Sequence, residues 1–505
     1  MVKNAIKGVW MFAALNFKSI KGFSSHNSWL PVRQSKPELL SLNLSLVLLL
    51  LCAIVLFPKH LSASETVLND TRILIGATAE VGSSDKEGLF GWKASSSVQN
   101  TIKSEFGLVQ TTSYPAWGVW TGTAQNPKAY NLSDMNRVIN WARENNKKTC
   151  IHLLCGSGTY FPAWFNSGTW TNDQLEDLLQ SWITEAITTN GNASKVDYWN
   201  VVNEAFTWDG KYWPTETECR WQQLGWEADQ SGLTGNAKVY DRHPVYIRKA
   251  FEMARSKTSA KLELRDYYIE FWDNSVKARA FYQLVKHLVN TGVPIDAVGF
   301  QGHFRLDRTY DWSKLTTAVA EYKKLGLEVY ITEVDYGDTD QIAPAKQSQW
   351  SAQLDEAQTK GYHDFAKAAA AGGTDWICLW GVADNTNSYW RMGQNALLFN
   401  EQYQPKAAYT GFHQGIVEGL PPVNTAGSKT GPANSRGIIP KIIGTKIYLN
   451  DINFNRYKIF NMSGKLVDSS ETSNNSIDIG HVSKGVYVLE IFTKSSGKMT
   501  FNINR

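Results

Sequence analysis

The chain has 505 residues, of which 43% are hydrophobic and 19% charged, so it can bury a sizeable core and general disorder is excluded. Its 51 basic and 47 acidic side chains leave a net charge of +4, which over this length gives no electrostatic footprint for nucleic acid. The 20 tryptophans are the unusual feature of the composition. Many will be core residues, but this number also suits a cleft that binds flat apolar faces such as those of sugar rings.

An apolar run near the start of the chain is the first predicted element. LSLVLLLLCAIVLF at 44–57 has 14 residues, fewer than the roughly 20 that a membrane-spanning helix needs and typical of a signal-peptide core. Small residues follow at 61–64, as at a cleavage site. The sequence therefore predicts a leader with a signal peptide over 1–64 and a secreted or cell-surface protein. The long basic stretch before the run favours a true start codon downstream of Met1.

Alternating strand and helix patterns follow over 72–416. Amphipathic helical stretches such as 135–145, 243–256 and 312–326 separate short apolar runs. The strand candidates are 73–78, 107–112, 149–154, 197–203, 262–268, 297–303, 327–335 and 375–381. Eight strands with intervening helices predict an α/β fold, a (β/α)8 TIM barrel, with a doubly wound sheet as the alternative.

The composition changes after residue 416. Residues 417–440 are rich in Gly, Pro, Ser, Asn and Thr, which predicts a flexible linker. Residues 441–505 alternate apolar and polar positions between turn signals such as MSGK and SSGK, which predicts a small all-β sandwich. That segment has little histidine and no paired carboxylates at strand ends, so we expect no catalysis there.

Two carboxylates lie just past apolar strand candidates. Glu204 closes WNVVNE on the fourth candidate, and Glu333 closes VYITE on the seventh. Because the carboxyl ends of TIM-barrel strands build the active site, we expect the two side chains to face each other across its mouth. A carboxylic acid opposite a carboxylate suits glycoside cleavage. The retaining mechanism needs the two groups about 5–5.5 Å apart.

Polar residues at the same strand ends support this interpretation. Asn203 precedes Glu204 and can hold a sugar hydroxyl. His303 ends the sixth candidate, where it can hydrogen-bond Glu333, and Asp335 faces the same way as Glu333 and can orient the histidine. To act as an acid Glu204 needs a raised pKa, whereas Glu333 must stay ionised, so their surroundings must differ.

Four segments, three of which contain these residues, resemble the strand motifs of glycoside hydrolase family 10, the endo-β-1,4-xylanases. They are WNVVNEAF (199–206), FQGHFRLD (300–307), LEVYITEVD (327–335) and WICLWGVADNTNSYWR (376–391), and LLFNEQYQPKAAY (397–409) resembles the family's last βα unit. The resemblance covers about 75–415. It implies hydrolysis of xylan with net retention, with Glu204 as general acid/base and Glu333 as nucleophile. Two carboxylates suffice for this chemistry, so we expect no metal and no organic cofactor.

The resemblance also implies roles for the supporting residues. Asn203 would contact the sugar next to the cleaved bond, and Gln301 would lie near the acid/base. His303 with Asp335 would support the nucleophile. The residues implied to bind substrate are His152, Trp380 and Trp390.

The first half of the barrel departs from the family's motifs. Thr112-Ser113 and Ala116-Trp117 stand where the family has Glu-Asn and Lys-Trp, and Gly156-Ser157 replaces Trp-His. Strand five carries Arg265-Asp266-Tyr267 instead of Asn-Asp-Tyr. In the family, the groups missing here bind xylose on the non-reducing side of the cleaved bond. Losing several hydrogen bonds of about 1 kcal/mol each would weaken or redirect binding, so these motifs do not determine which glycan is bound. Two alternatives remain: a retaining glycosidase acting on another or branched β-glycan, and a non-catalytic surface glycan-binding protein.

An insertion and a pair of cysteines also leave alternatives. Residues 207–243 either extend the cleft as a lid or pack onto the barrel through their tryptophans, Trp208, Trp213, Trp221 and Trp226. Cys150 and Cys155 lie on either side of the end of strand three and either form a disulfide or remain buried thiols.

The last segment, 441–505, resembles the C-terminal sorting domains of type IX secretion. The resemblance rests on YKIFNMSGKLV (457–467), Ile-Asp-Ile at 477–479 and SKGVYVLEI (483–491). It implies that the secretion machinery is a partner of this chain. A carbohydrate-binding module is the alternative, but the segment has no tryptophan and few aromatic residues that could form a binding platform.

Overall fold

The computed structural model describes residues 73–420 and 441–504. Short gaps interrupt these ranges at 83–86, 92, 216, 338–349, 387–390, 392, 444–445, 450–453, 462–465, 472–475, 484–485 and 494–496. The predicted leader and residues 421–440 of the predicted linker lie outside the described residues. None of the described helices is both long enough and apolar enough to cross a membrane.

Eight parallel strands in the described part of the chain form one closed sheet. They are β1 Leu74–Thr78, β2 Leu108–Thr112, β3 Lys148–Gly156, β4 Tyr198–Asn203, β5 Lys261–Asp266, β6 Ala297–Phe300, β7 Glu328–Gly337 and β8 Trp376–Leu379. Each strand pairs with its neighbours in sequence, and β8 pairs with β1. A closed sheet excludes the doubly wound alternative and confirms the (β/α)8 barrel.

One long helix follows each strand. The helices are α1 Ser96–Glu105, α2 Ser133–Glu144, α3 Asn172–Thr188, α4 Val245–Arg255, α5 Val276–Asn290, α6 Trp312–Lys324, α7 Ala352–Gly372 and α8 Ala407–Gly419. In α3 the buried Leu175, Leu178, Leu179 and Trp182 recur at helical spacing, and Thr171 caps the helix in a capping box with Gln174. The last helix extends to Gly419, past the predicted start of the linker at residue 417.

Short elements fill the connections between these strands and helices. Short strands lie at Val81–Gly82, Phe90–Gly91, Trp226–Ala228, Arg242–Pro244 and His303–Arg305. Short helices lie at Pro115–Val119, Gly158–Tyr160, Ala163–Asn166, Thr189–Gly191, Asn192–Lys195, Arg220–Leu224, Gly235–Ala237 and Asp384–Thr386.

Three predicted strands end earlier than the apolar runs suggested. The eighth, predicted over 375–381, ends at Leu379. The fifth was predicted to reach residue 268, but β5 ends at Asp266 because Tyr268 adopts a positive φ of 57°. The sixth was predicted over 297–303, but Gly302, with φ 79°, interrupts it, and the extended chain resumes at His303.

The barrel interior changes character along its length. At the N-terminal end of the strands an apolar cluster fills it, made of Leu108, Cys150, Ala297, Tyr330, Trp376 and Cys378. Farther along the same strands the buried side chains are polar or charged, among them Gln110, Glu263, Arg265 and Glu333. The polar half lies at the C-terminal strand ends. The four cysteines that the structure describes are buried free thiols, so Cys150 and Cys155 are not joined by a disulfide.

The C-terminal strands form two antiparallel sheets. They are β9 Lys441–Ile443, β10 Lys446–Tyr448, β11 Phe454–Asn461, β12 Leu466–Glu471, β13 Ser476–Asp478, β14 Val486–Thr493 and β15 Gly497–Asn504. One sheet has the order β9-β10-β13 and the other β12-β11-β14-β15. Ile447 and Ile477 from the first sheet share one apolar core with Ile459, Leu489 and Ile491 from the second. This confirms a small all-β domain.

Candidate active site

A cavity of about 320 Å³ opens at the C-terminal ends of the barrel strands. Both predicted carboxylates line it, and so do Gln301 and His303, predicted as supporting residues, and His152 and Trp380, predicted to bind substrate. These residues come from β3, β4, β6, β7 and β8 and the segments that follow them, so the closed sheet brings distant parts of the chain to one face.

Glu204 lies directly after β4 in an unusual backbone conformation. Its φ is +52°, in the left-handed region that non-glycine residues seldom occupy. Two hydrogen bonds hold it there: its N–H donates to the Arg265 carbonyl over 2.9 Å, and its carbonyl accepts from Trp213 Nε1 over 2.8 Å. A residue held in such a conformation by its surroundings is typical of functional sites.

The carboxyl group of Glu204 and the amide of Gln301 are in contact. Gln301 Nε2 donates to Glu204 Oε1 over 2.9 Å. Asn203 lies beneath, fully buried, and its Nδ2 donates to the Tyr160 hydroxyl over 2.9 Å. Asn203 is not among the residues that line the cavity, so the contact with a sugar implied for it stays a prediction.

Glu333 meets a different environment, because cations contact both of its oxygens. His303 Nε2 lies 3.2 Å from Oε2, and Arg265 Nη1 donates to Oε1 over 3.1 Å. Burial by itself raises the pKa of Glu333, but the surrounding His152, His303 and Arg265 lower it to about 2. At neutral pH, where His152 is uncharged, His303 and Arg265 keep Glu333 ionised.

His303 bridges two carboxylates. Its Nδ1 lies 3.0 Å from Asp335 Oδ2, while Asp335 Oδ1 accepts from Arg391 Nε over 3.0 Å. Burial lowers the pKa of His303, but the charges and hydrogen bonds of Asp335 and Glu333 outweigh it and raise the pKa to about 9. The imidazolium therefore donates to Glu333 and Asp335 together at neutral pH.

His152 packs against the carboxylate without carrying charge. His152 Nδ1 lies 2.8 Å from Asn200 Oδ1 and 3.2 Å from Arg265 Nη1. Burial lowers the pKa of His152 to about 3. Trp380 stands edge-to-face against both His152 and His303, with centroids 5.6 and 6.2 Å away. Trp390 lies outside the described residues.

Five residues that line the cavity were absent from the predicted set, Tyr114, Tyr160, Tyr267, Tyr268 and Glu270. Tyr114 and Tyr160 follow β2 and β3, and their rings stack with centroids 5.3 Å apart and planes 13° apart. These tyrosines follow strand ends, as Glu204 does, so the sequence signal was present. A search of the strand ends for aromatic as well as acidic residues would have found them.

The insertion over 207–243 divides its tryptophans between two environments. Trp221 is fully buried in the barrel core and Trp213 is partly buried against it. Trp208, with 76% of its surface exposed, and Trp226, with 36%, face solvent. Packing onto the barrel therefore accounts for two of the four. The other two are exposed, and Trp226 packs edge-to-face on Tyr212 with ring centroids 5.3 Å apart.

Within the insertion, Asp229 and His243 come close to His287 of α5, and their ligand atoms lie within 4.8 Å of one another. Among the described residues this is the group whose spacing suits a metal ion. Its hydrogen bonds oppose that use. His287 Nδ1 accepts the Gln230 N–H over 2.9 Å, so its Nε2 carries the proton and faces Glu227 at 3.2 Å. The group joins the insertion to α5, and the expectation that no metal is required stays a prediction.

Comparisons with known proteins agree with this geometry. "Endo-1,4-beta-xylanase B" of Humicola insolens is 28% identical over 65% of this chain and 82% of its own length. "Endo-1,4-beta-xylanase B" of Neocallimastix patriciarum is also 28% identical, over 62% of this chain, but the chain spans only 32% of that protein. The structure of xylanase 10B from Thermotoga petrophila in complex with xylobiose is 23% identical and has a TM-score of 0.58. It covers 71% of this chain and 99% of its own, so the two share a fold.

Two family models match separate parts of the chain. Residues 441–503 match the secretion system C-terminal sorting domain. Residues 80–414, well over half of the chain and including every barrel strand but β1, match glycosyl hydrolase family 10. With the barrel fold and the carboxylate-lined cavity, this match identifies the protein as an enzyme that belongs to glycosyl hydrolase family 10.

Proposed function

We propose that the protein is a secreted, retaining endo-β-1,4-xylanase that cleaves xylan through a covalent glycosyl-enzyme intermediate. The observation that carries this proposal is the contrast between two carboxyl groups in one cavity. Glu204 accepts from the neutral amide of Gln301, whereas Glu333 lies between two cations. One carboxyl group is suited to exchanging a proton and the other to remaining ionised, which is the division of labour that glycoside cleavage needs.

In the first step Glu333 attacks the anomeric carbon of the sugar. The bond between that carbon and the leaving oxygen breaks, and the leaving oxygen takes the bonding electrons together with the proton of Glu204. The products are a sugar ester on Glu333 and an ionised Glu204. His303, fixed by Asp335 and Arg391, holds the nucleophile's Oε2 while this occurs.

In the second step Glu204 accepts a proton from water. The water oxygen attacks the anomeric carbon, the ester bond breaks, and its electron pair returns to Glu333. Two inversions at the same carbon give net retention. The chemistry needs no group beyond the two carboxyl side chains and water.

Xylan is favoured as substrate because relatives of this chain are named endo-1,4-beta-xylanases. His152, Trp380 and Trp390 are proposed to contact the sugars on either side of the cut. Asn203, which lies beneath Glu204, is proposed to contact the sugar next to the cleaved bond. One observation favours a second candidate, hydrolysis of another or branched β-glycan. The stacked Tyr114 and Tyr160 follow the strands whose family motifs are missing, which replaces polar groups with an aromatic wall.

Digestion of a polysaccharide panel separates these candidates. Release of xylo-oligosaccharides from plain xylan supports the xylanase assignment, whereas products from a different β-glycan alone support the second candidate. Binding of glycan without any product from the intact protein would instead support a non-catalytic surface binder.

The remaining segments are proposed to deliver the barrel to the cell exterior. We assign a signal peptide to 1–64, the catalytic domain to 72–416 and a linker to 417–440. The match over 441–503 supports a sorting role for 441–505, with the secretion machinery as partner. Export of this kind places the enzyme where an insoluble polysaccharide is accessible.

The roles of the two carboxyl groups are tested by Glu204→Gln and Glu333→Gln. Each should lower the kcat on xylan by about 10³-fold or more while leaving the melting temperature unchanged. A dinitrophenyl xylobioside distinguishes the roles, because its leaving group needs no protonation. Glu204→Gln should still release dinitrophenol in a single burst, whereas Glu333→Gln should release none. Near-normal hydrolysis of xylan by either variant would overturn the assignment.

A further inference from the structure

A guanidinium group lies in the barrel interior beneath the cavity. Arg265, the penultimate residue of β5, is fully buried. Its Nε and Nη2 donate to the two oxygens of Glu263 over 2.7 and 3.2 Å, and Nη2 also donates to Gln110 Oε1 over 2.9 Å. Its remaining nitrogen, Nη1, donates to Glu333 Oε1 over 3.1 Å and also lies 3.2 Å from His152 Nδ1. The guanidinium is thus held by Glu263 and Gln110, and its remaining nitrogen lies between Glu333 and His152.

The surrounding residues are arranged to accommodate this group. Gln110 donates through Nε2 to Thr78 Oγ1 and to the Thr332 carbonyl, which leaves its Oε1 to accept from Arg265. Gly299 on the neighbouring strand leaves room for Glu263, since a Cβ there would lie 2.0 Å from Glu263 Oε1. Stability gives little reason for burying such a pair, because apolar replacements of buried ion pairs are often neutral or stabilising.

We infer that Arg265 is a positioning residue that promotes breakdown of the covalent intermediate by favouring Glu333 as a free carboxylate. The inference rests on the proposed retaining mechanism. Glu333 carries a negative charge before attack and after hydrolysis, but none while it is esterified. A guanidinium binds a carboxylate more strongly than an ester oxygen, because the attraction between two full charges is lost when the carboxylate is esterified. The Arg265 contact therefore stabilises the free carboxylate relative to the ester.

This bias has a kinetic signature. When the ester forms, the contact weakens; when water attacks and the ester electron pair returns to Glu333, the contact recovers its strength. Loss of the guanidinium charge therefore slows the second step more than the first, so the ester accumulates. Both kcat and KM then fall together, which a loss of packing alone would not produce.

The test compares the lifetime of the ester in three proteins. Replacing Arg265 alone would leave Glu263 buried and unpaired, so the test variant is Glu263→Gln combined with Arg265→Gln, which removes both charges and keeps a polar side chain at each position. Glu263→Gln alone is the control that keeps the guanidinium. The probe is a dinitrophenyl xylobioside in which fluorine replaces the hydroxyl beside the anomeric carbon. Mass spectrometry then follows the labelled protein and the label's position on Glu333.

The double variant should lose its label about 10-fold more slowly than the wild type, and Glu263→Gln no more slowly than the wild type. Equal lifetimes in all three proteins would overturn the role of Arg265 while the labelled Glu333 still supports the proposed function. Equal slowing in both variants would assign the effect to packing and also overturn it. Absence of label on Glu333 in the wild type would overturn the proposed function, and this inference with it.

Discussion

At the scale of single residues, the pKa values of two groups in the cavity are shifted in opposite directions from their usual values. The pKa of Glu333 is lowered to about 2, so its contribution to stability is complete above the usual carboxyl pKa of 4.5 and is lost as the pH falls toward 2. The pKa of His303 is raised from 6.5 to about 9, so its contribution is complete below pH 6.5 and is lost as the pH rises through about 9. Both contributions to stability are therefore complete between pH 4.5 and 6.5.

We therefore predict that raising the pH destabilises the wild-type barrel through loss of the His303 proton, and that the His303→Gln variant lacks this loss. Between pH 6.5 and about 9.5, the wild type should lose about 3 kcal/mol of its free energy of unfolding relative to the variant. Urea unfolding monitored by tryptophan fluorescence reports the barrel, because none of the 20 tryptophans follows residue 440. A constant difference between the two proteins across this range would contradict the protonated state of His303.

Gly299 permits the buried ion pair beneath Glu333. A Cβ at this position would lie 2.0 Å from Glu263 Oε1 and 3.0 Å from Thr332 Cγ2, and neither side chain has open space to enter. We predict that Gly299→Ala destabilises the barrel by about 1–3 kcal/mol, as overpacking of a core does, and lowers kcat because Arg265 must move. Unchanged kcat in Gly299→Ala would mean that the ion pair adjusts without affecting Glu333.

At the scale of elements, the loop after β4 shows how an insertion contributes to a site. Trp213 belongs to the insertion, and its indole N–H holds the carbonyl of Glu204 in the left-handed conformation. The long helices and the strands supply the frame, whereas this loop fixes the backbone of Glu204, the proposed acid/base. The insertion is thus part of the site, although Trp208 and Trp226 face solvent and Trp221 packs in the barrel core.

Trp213→Phe should lower kcat about 10-fold with little change in KM, because the missing hydrogen bond lets Glu204 leave its conformation. Trp221→Phe is the matched control: its indole is fully buried and makes no hydrogen bond within the part of the chain that the structure describes. Initial rates on xylan, with melting temperatures for both variants, give the comparison. An equal loss of kcat in the two variants would assign the effect to packing of the insertion.

At the scale of the whole molecule, the described residues contain separate apolar cores. The large core is built from residues between Ile73 and Ile416, and the C-terminal core from residues between Ile447 and Ile503. No residue belongs to both. Each segment therefore buries its own apolar surface, as an independently folding domain does.

We predict that a chain lacking 421–505 keeps the kcat of the full chain and its tryptophan-monitored melting temperature within about 2 °C, which corresponds to less than about 1 kcal/mol. In a host with the matching secretion system, the same truncation should abolish delivery to the cell exterior. A large loss of barrel stability on truncation would contradict the proposed domain boundaries, and unchanged delivery would contradict the sorting role.

The sequence by itself determined the barrel and the principal acidic pair. Strand and helix periodicities are local properties, and closing eight parallel strands places every carboxyl end at one face, so Glu204 and Glu333 had to meet there. The links from Gln301 to Glu204 and from His303 to Glu333 and Asp335 were also predictable, since each joins groups at the ends of nearby strands.

Only the tertiary structure decided how these groups are held. Arg265 contacts Glu333 across the barrel interior, Trp213 reaches Glu204 from an irregular loop, and Tyr114 stacks on Tyr160 from another strand end. Such contacts depend on which way a side chain points inside a closed sheet and on where a loop folds back. Neither is encoded in a short periodic pattern, because both follow from packing between segments that are far apart in the chain.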